Sequence, residues 1–457
     1  MSLDDASPQK SRQLELPLGI RGEPPHPVRS AEAPAATTGN ERPGTGGLME
    51  LVCERQNLLA ALRKVRQNRG SPGIDGMKVE ELDSYLRVHW PKIREALLAG
   101  LYQPERVRRV MIPKPGGGER ELGIPTVLDR FIQQAILQIL QPRIDPTFSE
   151  HSYGFRPKRS AHDAVHRAHR YVLEGRRWVV DIDLEKFFDR VNHDVLMGRL
   201  ARRVGDRRVL GLVRRYLEAG VLADGVAIER AEGTPQGGPL SPLLANILLD
   251  DVDKELEKRG HAFVRYADDL NVYVRSKRAG ERVMEAMRRL YGRLRLRVND
   301  AKSAVADVTE RKFLGFSFWQ NHKGELKRRV APQAVRQMKD HVRELTARNV
   351  GRSIPAVCER LRVFLRGWKN YFQIAESPRL FKELDGWIRH RLRALQLKHW
   401  RHGVKIFREL RARGGSIEVA AWVARNANRR WFCSAKLINF AMPNRLFDDL
   451  GLPRLYT

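Results

Sequence analysis

From Leu48 onward apolar residues recur every three to four positions, and Leu51, Leu58, Leu59, Leu62 and Val65 predict one helix. The turn-forming run SPGIDG at 71–76 ends it, and a second helix is predicted from about Val79 to Leu98. RRVMIP (108–113) and ELGIP (121–125) flank the glycine-rich KPGGGER and predict a hairpin. Residues 127–141 form an apolar helical run. WVVDIDLEKFFD (178–189) predicts a strand running into a helix or turn, and FVRYADDLNVYV (263–274) two β-rich runs around a tight acidic turn. Between them, 241–258 is helical, with Ser241 as N-cap and Pro242 at the first helical position. Residues 281–296 make an amphipathic helix, and FLGFSFWQNHKGELKRR a hairpin turning at Lys323-Gly324.

After residue 330 the pattern becomes that of basic helices. Leu361, Phe364, Leu365, Trp368 and Phe372 form one apolar stripe. Beyond the cap Ser377-Pro378, a second stripe holds Leu380, Phe381, Leu384, Trp387, Ile388, Leu392 and Leu395. These aromatics are expected in the core, which leaves the Arg and Lys of the opposite faces to bind ligands.

At 457 residues the chain has room for two to four packed units. Residues 1–47, rich in Pro, Ala, Gly and Thr and without periodicity, are expected to be disordered. No apolar run is long enough to span a bilayer, and the N-terminus has no signal-peptide pattern. Three cysteines, 53, 358 and 433, form neither a disulfide framework nor a C-x-x-C pair, so a reducing, cytoplasmic and nucleoid-associated location is expected. The net charge of +30 is unevenly spread: residues 327–457 hold 29 basic and 10 acidic side chains. That skew calls for a polyanionic partner, nucleic acid above all.

Two acidic clusters carry the candidate chemistry. Asp181 and Asp183 lie two apart on a strand and so share a face, while Asp268 and Asp269 sit at a hairpin turn. Carboxylates crowded beside buried β-structure repel one another and are costly to desolvate; divalent cations remove that cost. Two Mg²⁺ ions can activate a primer 3′-hydroxyl and stabilise leaving pyrophosphate. Either acidic pair alone is commonly a solvated turn; both together in so basic a chain favour polymerase chemistry. His162, His166 and His169 share a helix face, but no carboxylate or Cys completes a zinc set.

FVRYADDL resembles the signature of reverse transcriptases. MIPKPGGGERELGIP, HSYGFRPKRSAHDAV, VVDIDLEKFFDRVNHD, GTPQGGPLSPLLANILL, LRVNDAKS and FLGF follow in that family's order. FLRGWKNYF narrows the resemblance to bacterial group II intron reverse transcriptase/maturases. The resemblance implies an α+β right-hand polymerase, with fingers and palm built on antiparallel sheet, followed by an α-helical thumb/maturase domain. It implies an N-terminal extension over 48–105, fingers and palm over 106–326, and thumb/maturase over 327–400. Residues 401–457 remain as a basic region, read either as a reduced DNA-binding segment or as an extension of the maturase domain, and no His/Cys endonuclease is expected there.

By that resemblance Asp183, Asp268 and Asp269 hold two Mg²⁺; Asp181 shares the strand face but does not match the ligand position, and is read as a support to the ligands or as structural. Lys114, Arg120 and Lys302 contact the incoming dNTP, and Phe187 is the gate against a 2′-hydroxyl. Pro235, Gln236 and Gly237 shape the pocket under the nascent pair, and Phe313, Leu314, Gly315 and Phe316 form the primer grip. The implied partners are intron RNA as template, a DNA primer or target, and dNTPs, with no membrane; the oligomeric state stays open. Three rivals stand beside this: a splicing cofactor with a vestigial polymerase site, a reverse transcriptase recruited to host defence or spacer acquisition, and a general basic RNA-binding protein without enzymatic activity, which leaves the acidic pairs unexplained.

Overall fold

A computed structural model describes residues 47–113, 118–223, 226–228, 232–234, 237–347 and 351–456. The chain divides into two compact units, one ending at Arg311 and the other beginning at Lys312. Of the segment expected to be disordered, all but Gly47 lies outside the described residues, as do Lys114, Pro235 and Gln236.

In the first unit β1 (Val107–Pro113) and β2 (Glu119–Ile124) form the expected antiparallel hairpin, from Arg108 opposite Ile124 to Pro113 opposite Glu119. A second sheet carries the acidic clusters. β3 (Trp178–Ile182) is central to it, flanked by β7 (Asp269–Val274) and β8 (Ala304–Asp307), with β6 (Ala262–Tyr266) outside β7. All its pairings are antiparallel. Two short strands, β4 (Val221–Ala223) and β5 (Val226–Ile228), extend the first sheet beyond β1. The sequence pattern predicts neither these nor β8, because three- and four-residue runs carry too little alternation to register.

One face of the second sheet is apolar, with Val180, Ile182, Leu270 and Val272 each fully buried. The helix Lys277–Arg293 packs on it, its N-terminus capped by the Ser276 hydroxyl accepting from Ala279 N. The approach is close at Gly280, where a Cβ would lie 2.5 Å from Val305 Cγ1 and 3.4 Å from methyls of Val180 and Val274. Gly280→Ala gains up to about 1 kcal/mol of helix propensity but overpacks the seam at a cost of about 1–3 kcal/mol. The expected result is a net loss of stability, measured by urea unfolding.

Two local expectations are corrected. The first helix is broken: Leu48–Val52 ends at Cys53, and a new helix runs Arg55–Asn68. Its buried positions are Met49, Val52, Ala61 and Val65, whereas Leu51 and Leu59 face solvent. Ser241 is the first helical residue of Ser241–Lys258 and Leu240 the N-cap, so the helix starts one residue before its proline.

In the second unit β9 (Lys312–Phe313), β10 (Phe316–Gln320) and β11 (Leu326–Val330) form a three-stranded sheet. Its second turn closes at Gly324, φ +81°. Helices follow over Pro332–Leu345, Ile354–Phe372 and Pro378–Trp400. The stripe Leu361, Phe364, Leu365, Trp368, Phe372 is buried throughout. On the next helix Phe381, Leu384, Ile388, Leu392 and Leu395 are buried, while Leu380 and Trp387 are half-buried. The C-terminal region docks on this helix through two buried arginines. Arg389 bridges Asp385 and Asp448, and Arg393 donates to Met442 O and Asn444 Oδ1, each at 2.8 Å. All three cysteines are free and buried, and burial pushes the thiols of Cys53 and Cys358 up to about 11.

Candidate active site

The carboxylates meet through strand register. β3 and β7 pair Asp181 with Asn271 and Ile182 with Leu270, so the next positions outward are Asp183 and Asp269. Residues directly opposite on neighbouring strands hold their Cβ atoms about 4.5–5.5 Å apart. Tyr266 pairs with Asp269, which leaves Ala267 and Asp268 as a two-residue turn. Ala267 takes φ +59°, a left-handed conformation uncommon for a side-chain-bearing residue.

Burial pushes the Asp268 carboxyl above the usual carboxylate range; a backbone hydrogen bond offsets part of the rise, and the charge of Asp183 adds to it. The two carboxylates therefore repel each other across the site. Asp183 is held by the segment 299–303. Ser303 Oγ accepts from Asp183 N at 3.0 Å, and Asn299 donates from N to Asp183 O at 2.8 Å and from Nδ2 to Oδ2 at 3.2 Å. Lys302 Nζ lies 3.6 Å from Asp183 Oδ2. Both side chains of this pair are well exposed, so it contributes under about 1 kcal/mol and leaves the ammonium free to turn toward a phosphate. Asp181 is otherwise engaged: Arg311 Nε donates to its Oδ2 at 2.7 Å.

Among the described residues no three His, Cys, Asp or Glu side chains gather closely enough to hold an ion by themselves. The donor set nonetheless suits Mg²⁺, which takes one or two carboxylates and completes its shell with water and substrate phosphates. A partly desolvated carboxylate facing a second one is the arrangement whose cost a divalent cation removes.

The remaining candidates are distributed as follows. Phe187 is buried in the core cluster and lies edge-on to Phe188, ring centroids 5.0 Å apart. The loop before Pro235 is fastened to this turn, with Thr234 N donating to Phe188 O at 2.7 Å and Gly233 N to Val191 O at 2.8 Å. Gly237, φ +141°, is backed by β2: a Cβ there would lie 2.7 Å from Gly123 O. Arg120 occupies β2 opposite Ile112. In the second unit Phe313 and Phe316 pair across a turn whose central residues, Leu314 (φ +50°) and Gly315 (φ +78°), both take the positive φ of a tight hairpin. Tyr371 OH donates to Leu314 O at 2.9 Å. His162, His166 and His169 lie on the helix Ala161–Leu173.

Sequence reasoning missed the supports behind the carboxylates: Arg265, Asn246, Asp253, Asn299 and Gly154. A signal existed for one of them, since Arg265 is a charge inside an otherwise apolar strand.

Residues 112–318 match the family described as reverse transcriptase (RNA-dependent DNA polymerase), and residues 335–414 match the group II intron, maturase-specific domain. Protein YkfC of Escherichia coli (strain K12) is 32% identical over 357 residues, covering 69% of this chain and 92% of that protein. Group II intron-encoded protein LtrA of Lactococcus lactis subsp. cremoris is 37% identical over 195 residues, 42% of this chain and 32% of LtrA. The match thus spans about a third of LtrA's length. Among solved structures, a partial Cas6-RT-Cas1–Cas2 complex aligns at 26% identity with a TM-score of 0.36, over 54% of this chain and 42% of that one. The chain belongs to the group II intron reverse transcriptases, with a reverse transcriptase domain followed by a maturase domain.

Proposed function

We propose that the chain extends a DNA primer on an RNA template from dNTPs in a two-Mg²⁺ reaction, and that its maturase helices hold structured intron RNA during splicing and mobility. The observation that supports the first part is the β3–β7 register, which brings Asp183 level with Asp269 and sets Asp268 in the adjoining turn, with Lys302 beside Asp183. Asp183 and Asp268 would hold the metal, with Asp269 adjacent. When bound, Mg²⁺ supplies activation of the primer hydroxyl and neutralisation of triphosphate charge. Lys302 sits where it can leave Asp183 for an incoming phosphate, and Lys114 and Arg120 are assigned to the same triphosphate. Phe187, packed against Phe188, offers a rigid ring as the 2′-hydroxyl gate. Phe313–Phe316 is assigned to the primer backbone.

The second part is supported by charge. The half-buried Trp387 is ringed by Lys339, Arg343 and Arg391, each 5.4–5.8 Å from its ring. Such cations pair with phosphates, and binding that releases counterions weakens steeply with salt. No helix among the described residues is long and apolar enough to cross a membrane.

Purified full-length protein with Mg²⁺, primed RNA and dNTPs is expected to make cDNA; its failure to do so refutes the polymerase reading. For RNA binding, neutralising Lys339 and Arg343 lowers the slope of log affinity against log salt by about one for each phosphate that goes unpaired. An unchanged slope places the RNA elsewhere.

A further inference from the structure

Arg265 is a fully buried charge on β6, three residues before Asp268. Its Nε donates to Asp253 Oδ1 at 2.8 Å, and its Nη2 to Asp253 Oδ2 at 2.5 Å. Its Nη1 divides between Asn246 Oδ1 and the carbonyl oxygen of Ala267, each at 2.8 Å. Asp253 and Asn246 both belong to the helix Ser241–Lys258, and Asp253 is itself fully buried. The backbone of Arg265 is clamped as well: its N–H donates to His151 O at 2.9 Å, and its carbonyl accepts from Tyr153 N at 2.8 Å. Asn246 Nδ2 completes the circuit by donating to Gly154 O at 2.9 Å.

The Ala267 carbonyl belongs to the peptide that joins Ala267 to Asp268. A hydrogen bond to it sets the plane of that peptide and therefore the direction in which Asp268 leaves the turn. The turn needs such a hold, because Ala267 occupies the left-handed region, where an L-residue rests only when its surroundings over-determine it. Stability alone does not call for a charge here: a buried ion pair can commonly be replaced by apolar side chains of similar volume without loss. What the guanidinium supplies, and an apolar side chain does not, is a fork reaching a helix carboxylate and a turn carbonyl together.

We propose that Arg265 is a positioning residue for nucleotidyl transfer, anchored by Asp253 and Asn246, which fixes the Ala267–Asp268 peptide and so aims the Asp268 carboxylate. This rests on the reading of Asp268 as a metal-holding group.

The test uses full-length Arg265→Lys, which keeps a cation for Asp253 but cannot reach Ala267 O as well. A misplacement of about 1 Å at a reacting centre lowers the rate by about a hundredfold. We expect kcat per folded protein to fall by about that factor. The KM for dNTP and the Kd for primer–template should stay within about twofold of wild type, because the binding surfaces are untouched. The Mg²⁺ concentration for half-maximal rate should rise several-fold. Asn246→Ala, which leaves the ion pair in place, should move the same parameters in the same direction and serves if Arg265→Lys does not fold. If wild type is active and both variants, assayed well below their Tm, keep wild-type kcat and Mg²⁺ dependence, the inference falls alone. If wild type makes no cDNA, the polymerase reading falls and this inference with it.

Discussion

Asp268→Ala is expected to lower primer extension by roughly a thousandfold or more, the scale on which a preorganised electrostatic group acts in a transition state, while leaving the fold as stable as before. The two halves of this expectation have one cause. In the folded protein the Asp268 carboxyl is disfavoured in its charged form by burial and by Asp183. A charge kept at such a position contributes nothing to stability, so its removal is neutral or slightly favourable to folding. On the proposed reading its value lies in the cation it would hold. Primer extension and thermal unfolding on the same preparation check both halves. A variant that loses activity only as it loses structure contradicts the assignment.

Gly154→Ala should damage the same site from behind. A Cβ at residue 154 would lie 2.1 Å from Ala267 N and 2.8 Å from Tyr266 C. Both are backbone atoms of the acidic turn, so no side-chain rotation relieves the clash. Either the turn or the loop bearing Gly154 must shift, and Asn246 holds that loop at the Gly154 carbonyl. We expect a stability loss of about 1–3 kcal/mol and a rate loss of about a hundredfold. Gly198→Ala and Gly292→Ala are the matched controls, each within a helix with nothing inside 4 Å of the added methyl. They should gain up to about 1 kcal/mol and keep full activity. Equal behaviour of the three variants in urea unfolding and primer extension would refute the close approach of loop and turn.

The acidic sites are legible in the sequence because strand alternation and turn chemistry are local. WVVDID and the runs flanking ADD reveal their faces and their bend within a dozen residues, and the register then follows from the pairing of β3 with β7. The Gly-rich hairpin and the two maturase helix stripes are legible for the same reason. Long-range supports are not. Asp253 and Asn246 look like ordinary helix positions until Arg265 is seen between them, and nothing near Gly154 announces that a neighbouring backbone needs its missing side chain. Counting leucines as core misplaces the first helix; Leu51 and Leu59 are exposed, and Met49, Val52 and Ala61 take the inward positions. Ser241 falls one residue from its expected place because a Ser-Pro pair fits either side of a helix start.

The two acidic strands impose a constraint of another kind. Asp183 stands five residues after Trp178, and Asp269 five before Val274, the residue that Trp178 faces. The carboxylates are thus aligned by counting along the two strands of one ladder. Between those anchor points an exchange of one β-branched residue for another leaves the count alone, but a one-codon insertion would bring Ile182, and a one-codon deletion Leu184, to the place of Asp183. Natural variation in these strands should therefore be of spelling and never of length.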